Sequence, residues 1–161
     1  PSDTFWSELI AAGKKRFPVA FSTSKGVSNN PPKMGVALYR EWKPQQLRID
    51  FCVHAKTNEM SVKLLENGGA SLKTKRPLIQ YAQQNGESLF GENMSRMNAH
   101  IQMRVTDDES QSSLSVARPQ FSLMESENKE DSIEWYMDAF GLFHDVLLPK
   151  LIEEYEKMSS E

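Results

Sequence analysis

The residues best suited to metal binding or nucleophilic chemistry are three histidines and a single cysteine in a chain of 161 residues. Asp50, Cys52 and His54 fall at alternate positions of one predicted strand, and His100 begins another. Pairing of the two strands would bring these polar side chains together. No spacing enforces such a ligand set, and histidines held by ordinary surface hydrogen bonds are the alternative. We therefore predict no metal site and no cofactor.

Catalytic signatures are incomplete in this sequence. It contains no Gly-x-Ser-x-Gly turn, no Walker loop and no Gly-x-Gly-x-x-Gly loop. Mg²⁺-dependent nucleases use carboxylates and a lysine to hold the metal and position a water, and Asp50, Glu127 and Lys129 supply those residue types. Glu127 lies in a predicted polar loop rather than on a strand beside Asp50. We assign no catalytic residue, and a Mg²⁺-dependent nuclease-like enzyme is the second alternative for the function.

Basic and aromatic residues give a softer functional signal. Arginine side chains contact phosphates and aromatic rings stack on bases when a protein binds single-stranded nucleic acid. The predicted nucleic-acid-binding residues are Tyr39, Arg40, Arg48, Arg104, Lys73, Lys75 and Arg76. The alternative is that Arg48 and Arg104 form ion pairs with Asp50, Glu41 or the acidic last helix.

The charge is unevenly distributed along the chain. Residues 1–106 carry 15 Lys and Arg against 8 Asp and Glu, whereas residues 107–161 carry 4 against 14. Such asymmetry indicates either a part that faces nucleic acid and a separate acidic part, or only a solvated acidic face on the last helix.

The elements that would position these residues alternate between helices and strands. The clearest strand is 46–54, where Leu47, Ile49, Phe51 and Val53 alternate with polar residues. Further strands are predicted at 34–42, 99–106 and 112–117, with a short edge piece near 121–124, and residues 22–33 are predicted to form a loop. Helices are predicted from Asp3 to about Phe17, from Asn58 to a stop at 67–69, from Pro77 to Phe90 with Gly91 as C-cap, and from Ser132 to Lys157 with a bend near Pro149.

This order predicts a single α+β domain over residues 1–161. Its antiparallel sheet has about four to five strands, with helices packed on one face and a long C-terminal helix. Because each strand alternates apolar and polar residues, we expect the face opposite the helices to be open to solvent.

The last helix also suggests an interaction surface. Its aromatic and leucine residues exceed what one core is expected to cover, so an exposed apolar patch for a protein partner or a homodimer is the first alternative function. That patch would contain Trp135, Tyr136, Phe140, Leu142 and Phe143.

The cellular setting is read from composition. No apolar run reaches the roughly 20 residues that a bilayer-crossing helix needs, so no membrane association is predicted. One cysteine excludes an internal disulfide framework and favours a reducing, cytoplasmic setting. Because the first residue is proline, we expect a processed chain or a piece of a longer one.

Short motifs spread over nearly the whole chain resemble a bacterial domain family of unknown function. The matching segments are Phe5-Trp6, residues 47–53, Thr57-Asn58-Glu59, Leu89-Phe90-Gly91, the strand at Ile101, and Ile133-Glu134-Trp135 with Phe143 and Pro149. That family is often appended to restriction-endonuclease-like proteins and also occurs alone. The resemblance implies an α+β accessory domain in DNA metabolism or defence. We therefore expect a non-catalytic binding domain that contacts nucleic acid or a nuclease partner.

Overall fold

An antiparallel sheet with helices on one face organises the molecule. The computed structural model describes residues 3–21, 24–29, 32–38, 46–54, 56, 59–67, 84–85, 90–105, 111–118 and 129–160. The elements in chain order are α1 (Asp3–Arg16), α2 (Pro18–Phe21), β1 (Ser24–Asn29), β2 (Pro32–Leu38), β3 (Gln46–His54), β4 (Glu59–Asn67), α3 (residues 90–97), β5 (His100–Val105), β6 (Gln111–Arg118), α4 (Lys129–Gly141), a π-helical segment (Leu142–Leu147) and α5 (Leu148–Ser160). The predicted α+β class, antiparallel sheet and long C-terminal helical region are confirmed.

The sheet has six strands in the order β1-β2-β3-β4-β6-β5, rather than the four or five expected. Every neighbouring pair is antiparallel, and β2 and β3, which follow each other along the chain, pair with each other. The two additional strands are β4 and β1.

Strand β4 corrects the helix predicted to begin near Asn58. Met60, Val62 and Leu64 are fully buried and pair with Val53, Phe51 and Ile49 of β3. Their spacing has the period of two expected of a strand. The Leu64-Leu65 doublet resembles a helical pattern, but the side chain of Leu65 falls on the opposite face and is buried there as well. A strand buried on both faces loses the simple alternation that sequence reading depends on.

Strand β1 corrects the loop predicted over residues 22–33. It lies at the edge of the sheet and pairs only with β2, with a register irregularity between Ser24 and Val27. Edge strands tolerate polar residues and bulges because one side of the backbone needs no partner strand. The composition of this segment therefore resembles that of a loop.

The hydrophobic core lies between the helices and one face of the sheet, which we call the near face. On the sheet side, Phe51, Val62 and Val116 form a cross-strand row in β3, β4 and β6, and all three are fully buried. On the helix side the core includes Phe5, Trp6, Leu9, Phe21, Tyr136, Phe140, Phe143, Leu147 and Leu151. Burying one such side chain stabilises the fold by about 1.5–3 kcal/mol.

A glycine allows α1 and α2 to pack closely. Pro18 follows the end of α1 and begins the four-residue helix α2. Helix α2 places the Phe21 ring against Gly13. A Cβ at Gly13 would overlap three carbons of that ring. The amide of Phe17 donates to the Gly13 carbonyl at 2.7 Å across this junction.

The C-terminal helical region changes its hydrogen-bond pattern before Pro149. The amide of Leu148 donates to the carbonyl of Phe143, five residues earlier, which closes the π-helical segment. Proline has no N–H to donate and its ring clashes with the carbonyl four residues before it. The wider π turn accommodates that clash, so the predicted bend is a local change of helix type.

Helix α3 corrects the predicted C-cap at Gly91. Residues 84–85 are helical and residues 90–97 continue as helix beyond Gly91. The helix ends at Asn98, which has a φ of 52°. The Asn98 amide donates to Ser95 and the Ala99 amide donates to Met94, which is the bonding pattern of a Schellman cap. Residues 77–83 and 86–89 of the predicted helix lie outside the described residues.

None of the helices in the described part of the chain has both the length and the apolar character that a bilayer crossing requires.

Candidate functional site

The predicted nucleic-acid surface can be assessed mainly at Arg48. Its side chain lies on the sheet face opposite the helices, which we call the far face, and 37% of that side chain is exposed. One guanidinium nitrogen donates to Asp50 Oδ2 at 3.2 Å. The Nε atom lies 3.0 Å from Oδ1 without hydrogen-bond geometry, so that contact is ionic. The alternative that Arg48 pairs with Asp50 is confirmed.

The side chains of the other predicted nucleic-acid residues lie outside the described part of the chain. The backbone of Arg104 pairs with Ser113 in β5 and β6, and its side chain is outside the described residues. Tyr39, Arg40, Lys73, Lys75 and Arg76 lie outside the described residues altogether, as do Glu41 and Glu127. Asp50, the first carboxylate of the nuclease alternative, is buried against Arg48.

The expectation that the far face is open to solvent is wrong over its centre. The central far-face residues are each less than 9% exposed: Asp50, Cys52, Ser61, Leu65, Ser113, Ser115 and Ala117. Polar residues can be buried when they are hydrogen-bonded. Ser61 lies 3.3 Å from the His54 ring nitrogen, and Ser115 donates to the carbonyl of Gln102. Alternation along a strand separates polar from apolar residues, but it does not separate exposed from buried ones.

The histidines occupy separate environments rather than one site. His54 contacts Ser61, whereas the His100 Nε2 atom lies 2.9 Å from the side-chain nitrogen of Gln102 and 3.7 Å from a Glu59 carboxylate oxygen. Among the residues that the structure describes, no three His, Cys, Asp or Glu side chains are placed to hold a metal ion.

The aromatic surface predicted on the last helix is buried, which corrects the basis of the interaction-module alternative. Trp135, Tyr136, Phe140, Leu142 and Phe143 are at most 6% exposed. Two of these residues also make buried hydrogen bonds. The Trp135 indole donates to the Met97 carbonyl at 3.0 Å, and the Tyr136 hydroxyl donates to the Cys52 carbonyl at 2.7 Å. Burial, with a smaller contribution from Cys52, raises the pKa of Tyr136 well above its ordinary value. The sheet, α1 and α3 together cover more aromatic surface than the sequence alone indicated.

Residues of α1 and α4 line an open groove between the two helices. Its volume is about 800 Å³. The floor is apolar and consists of Ala12 and Ile133, which are partly exposed, and Met137, which is only 3% exposed. Charged residues form the rim, which is made of Glu8, Lys15 and Arg16 on α1 and of Lys129, Glu130 and Glu134 on α4. We call this feature the α1–α4 groove.

Two ion pairs bridge the helices at the ends of the α1–α4 groove. Lys129 Nζ lies 2.9 Å from a Glu8 carboxylate oxygen, and an Arg16 guanidinium nitrogen lies 3.1 Å from Asp138. Glu8 precedes Arg16 on α1, and Lys129 precedes Asp138 on α4, so the two helices run in the same direction. Exposed ion pairs contribute little stability, but they define where the groove begins and ends.

A smaller cleft of about 350 Å³ lies beside the α1–α2 junction. Arg16, Val19, His144 and Asp145 are among its lining residues. The His144 Nδ1 atom lies 2.8 Å from the Asp145 carboxylate, and the imidazole ring stacks on Phe140. These contacts orient the histidine, but the cleft holds no serine or cysteine for it to activate.

Sequence reading missed the α1–α4 groove. The usable signal is on α1, where Glu8, Ala12 and Lys15 follow one another at helical spacing along one flank of the buried stripe that contains Phe5 and Leu9. Nothing in the sequence indicated that this side lies beside α4.

Comparison with protein families, with curated proteins and with solved structures finds no match to this chain.

Proposed function

We propose that this chain is a binding domain that recognises another protein through the α1–α4 groove. The observation that supports this proposal is the partly exposed apolar surface of Ala12 and Ile133, inside a charged rim. Protein-recognition surfaces combine an apolar centre with a polar rim in this way. Val19 is the one large hydrophobic side chain among all the described residues that is mainly exposed, at 83%, and it lies outside the groove.

The rim favours a protein over a nucleic acid. Glu130 and Glu134 are exposed at the groove and would repel a phosphate backbone. Arg48, the described member of the predicted nucleic-acid surface, is already paired with Asp50.

The resemblance to accessory domains of restriction-endonuclease-like proteins suggests a nuclease as the partner class, and a role in bacterial DNA metabolism or defence. The buried Cys52, the single cysteine of the sequence, fits a reducing compartment such as the cytoplasm. Both extensions belong to the proposal, and the experiment below does not depend on them.

Site-specific photo-crosslinking tests the proposal. A photoreactive amino acid is placed at position 12 in the groove or, as a control, at the exposed position 19, and the chain is irradiated in the cells that produce it. We expect one discrete protein adduct from position 12 that is weak or absent from position 19. The crosslinked protein is then identified, purified and shown to bind the unmodified chain in solution.

Two results would overturn this proposal. One is a set of equal adducts at positions 12 and 19, which indicates unspecific contact. The other is a position-12 adduct that contains DNA or RNA instead of protein. Fluorescence anisotropy with short DNA and RNA at low and high salt supplies an independent check, because phosphate binding weakens steeply with salt.

A further inference from the structure

We infer that the occupant of the α1–α4 groove is an amphipathic helix of the partner protein, with basic side chains on the flank that faces α4 and an acidic side chain on the flank that faces α1. This inference rests on the proposed function and specifies the chemistry of the partner.

The length of the groove fits two turns of a helix. Glu8 and Arg16 mark its ends on α1, and eight residues at the helical rise correspond to about 12 Å. A docked helix presents three apolar anchors over that distance, at positions i, i+3 or i+4, and i+7. Between those ends, Ala12 and Ile133 offer partly exposed apolar surface, whereas the Met137 side chain is buried.

The walls of the groove do not suit an extended peptide. An added strand gains its affinity from backbone hydrogen bonds to a free sheet edge. Both walls are α-helices, whose interior N–H and C=O groups are bonded within the helix. Side-chain packing is therefore the available mode of binding, and a helix provides it over the greatest contact area.

The unpaired charges specify the flanks of the docked helix. Among the described residues, Lys15 on α1 and Glu130 and Glu134 on α4 form no ion pair, whereas Glu8, Lys129 and Arg16 are paired across the groove. Glu130 and Glu134 stand four residues apart on one helix face, where like charges repel each other. Basic side chains from a partner would relieve that repulsion, and an acidic one would pair with Lys15.

Two synthetic helices test the charge layout. Both are hydrocarbon-stapled peptides of about four turns with the same leucine stripe. The mixed peptide carries lysines on one flank and glutamates on the other, and the acidic peptide carries glutamates on both flanks. Exchanging the flanks is not a useful control, because a helix turned end to end in the groove restores the match.

Titrations are followed by amide NMR signals of the protein. An exposed ion pair changes affinity by about two- to fivefold. Both peptides offer a glutamate to Lys15, so the two contacts with Glu130 and Glu134 should make the mixed peptide bind at least about fourfold more tightly than the acidic one. Signals of Ala12 and Ile133 should shift. The surface double variant Glu130→Lys with Glu134→Lys should reverse the preference, and circular dichroism confirms that it remains folded.

The outcomes separate the two proposals. Equal affinity for both peptides, or an unchanged preference in the double variant, overturns the charge layout. If neither peptide binds at millimolar concentration but a partner protein still crosslinks to position 12, the inference of a helical occupant is wrong and the proposed function stands. If the adducts at positions 12 and 19 are equal, the proposed function fails whatever the peptides do. A dimer that uses this groove, seen by light scattering, overturns the partner assignment.

Discussion

Gly13 and Gly91 are helical glycines in opposite surroundings, so replacing each with alanine separates helix propensity from packing. Alanine is favoured over glycine inside a helix by about 1 kcal/mol. At Gly91 an added Cβ meets no atom within 4 Å, so Gly91→Ala should stabilise the fold by about 0.5–1 kcal/mol. At Gly13 the Cβ overlaps the Phe21 ring, and overpacking of a filled core costs about 1–3 kcal/mol.

The Phe21 ring has little freedom to move away. It is fully buried, and its centroid lies 5.8 Å from that of Phe51 and 5.2 Å from that of Phe140. We therefore expect the overpacking cost at Gly13 to exceed the propensity gain, and Gly13→Ala to destabilise the fold by up to about 2 kcal/mol.

Urea unfolding followed by circular dichroism measures both effects, since a change in midpoint at constant slope reports stability. In the Gly13→Ala background, Phe21→Leu should lower the free energy of unfolding by less than it does in the wild type, because leucine lacks the overlapping ring carbons. If Gly13→Ala stabilises the protein as much as Gly91→Ala does, the packing of α2 against α1 described above is refuted.

Three further changes test the buried polar contacts and the cap of α3. Arg48→Met leaves the Asp50 carboxylate buried without its cation and should cost about 1–3 kcal/mol, and Asp50→Asn should recover part of that loss in the double variant. Tyr136→Phe removes the hydrogen bond to Cys52 and should cost about 1 kcal/mol in urea unfolding. Burial raises the pKa of Tyr136 in the folded protein. The stabilisation that the neutral hydroxyl provides is therefore complete below about pH 10 and is lost as pH rises through the folded pKa. In that range the urea midpoint of the wild type should fall more than that of Tyr136→Phe. Asn98 has a positive φ, which glycine adopts more easily than alanine. Asn98→Gly should therefore be neutral or stabilising, whereas Asn98→Ala should cost about 1 kcal/mol. Equal stability of the two variants would contradict the assigned cap.

The elements that the sequence predicts correctly are those in which the hydrophobic residues follow a single periodicity. Strand β3 was placed at its observed bounds because Leu47, Ile49 and Phe51 alternate with polar residues on a strand whose near face is the core. Strand β4 was missed because Leu65 is buried on the far face, and a strand covered on both faces gives no clean period. Propensity also favoured a helix at Leu64-Leu65, and the pairing with β3 and β6 overrode it.

The site was harder to predict than the fold, because it depends on which surfaces tertiary packing leaves accessible. The aromatic residues of α4, such as Trp135 and Phe140, form an apolar stripe as predicted, but they are buried in the core. Arg48 was correctly placed on the polar side of β3, yet its charge is satisfied by a neighbour two residues away. The α1–α4 groove requires α1 and α4 to lie side by side, and only the three-dimensional structure gives that arrangement.

The most direct measurement of the central claim is the affinity of the crosslinked partner protein for two matched variants. Ile133→Lys places a charge on the apolar floor of the α1–α4 groove, and Val19→Lys makes the same kind of change at an exposed site outside it. Urea midpoints confirm that both variants are folded before titration. We expect Ile133→Lys to weaken binding at least about tenfold, the loss that 1.4 kcal/mol of apolar contact represents, with Val19→Lys unchanged within about twofold. Binding that is equally tight in both variants, or equally weakened, would contradict the assignment of the groove as the recognition surface.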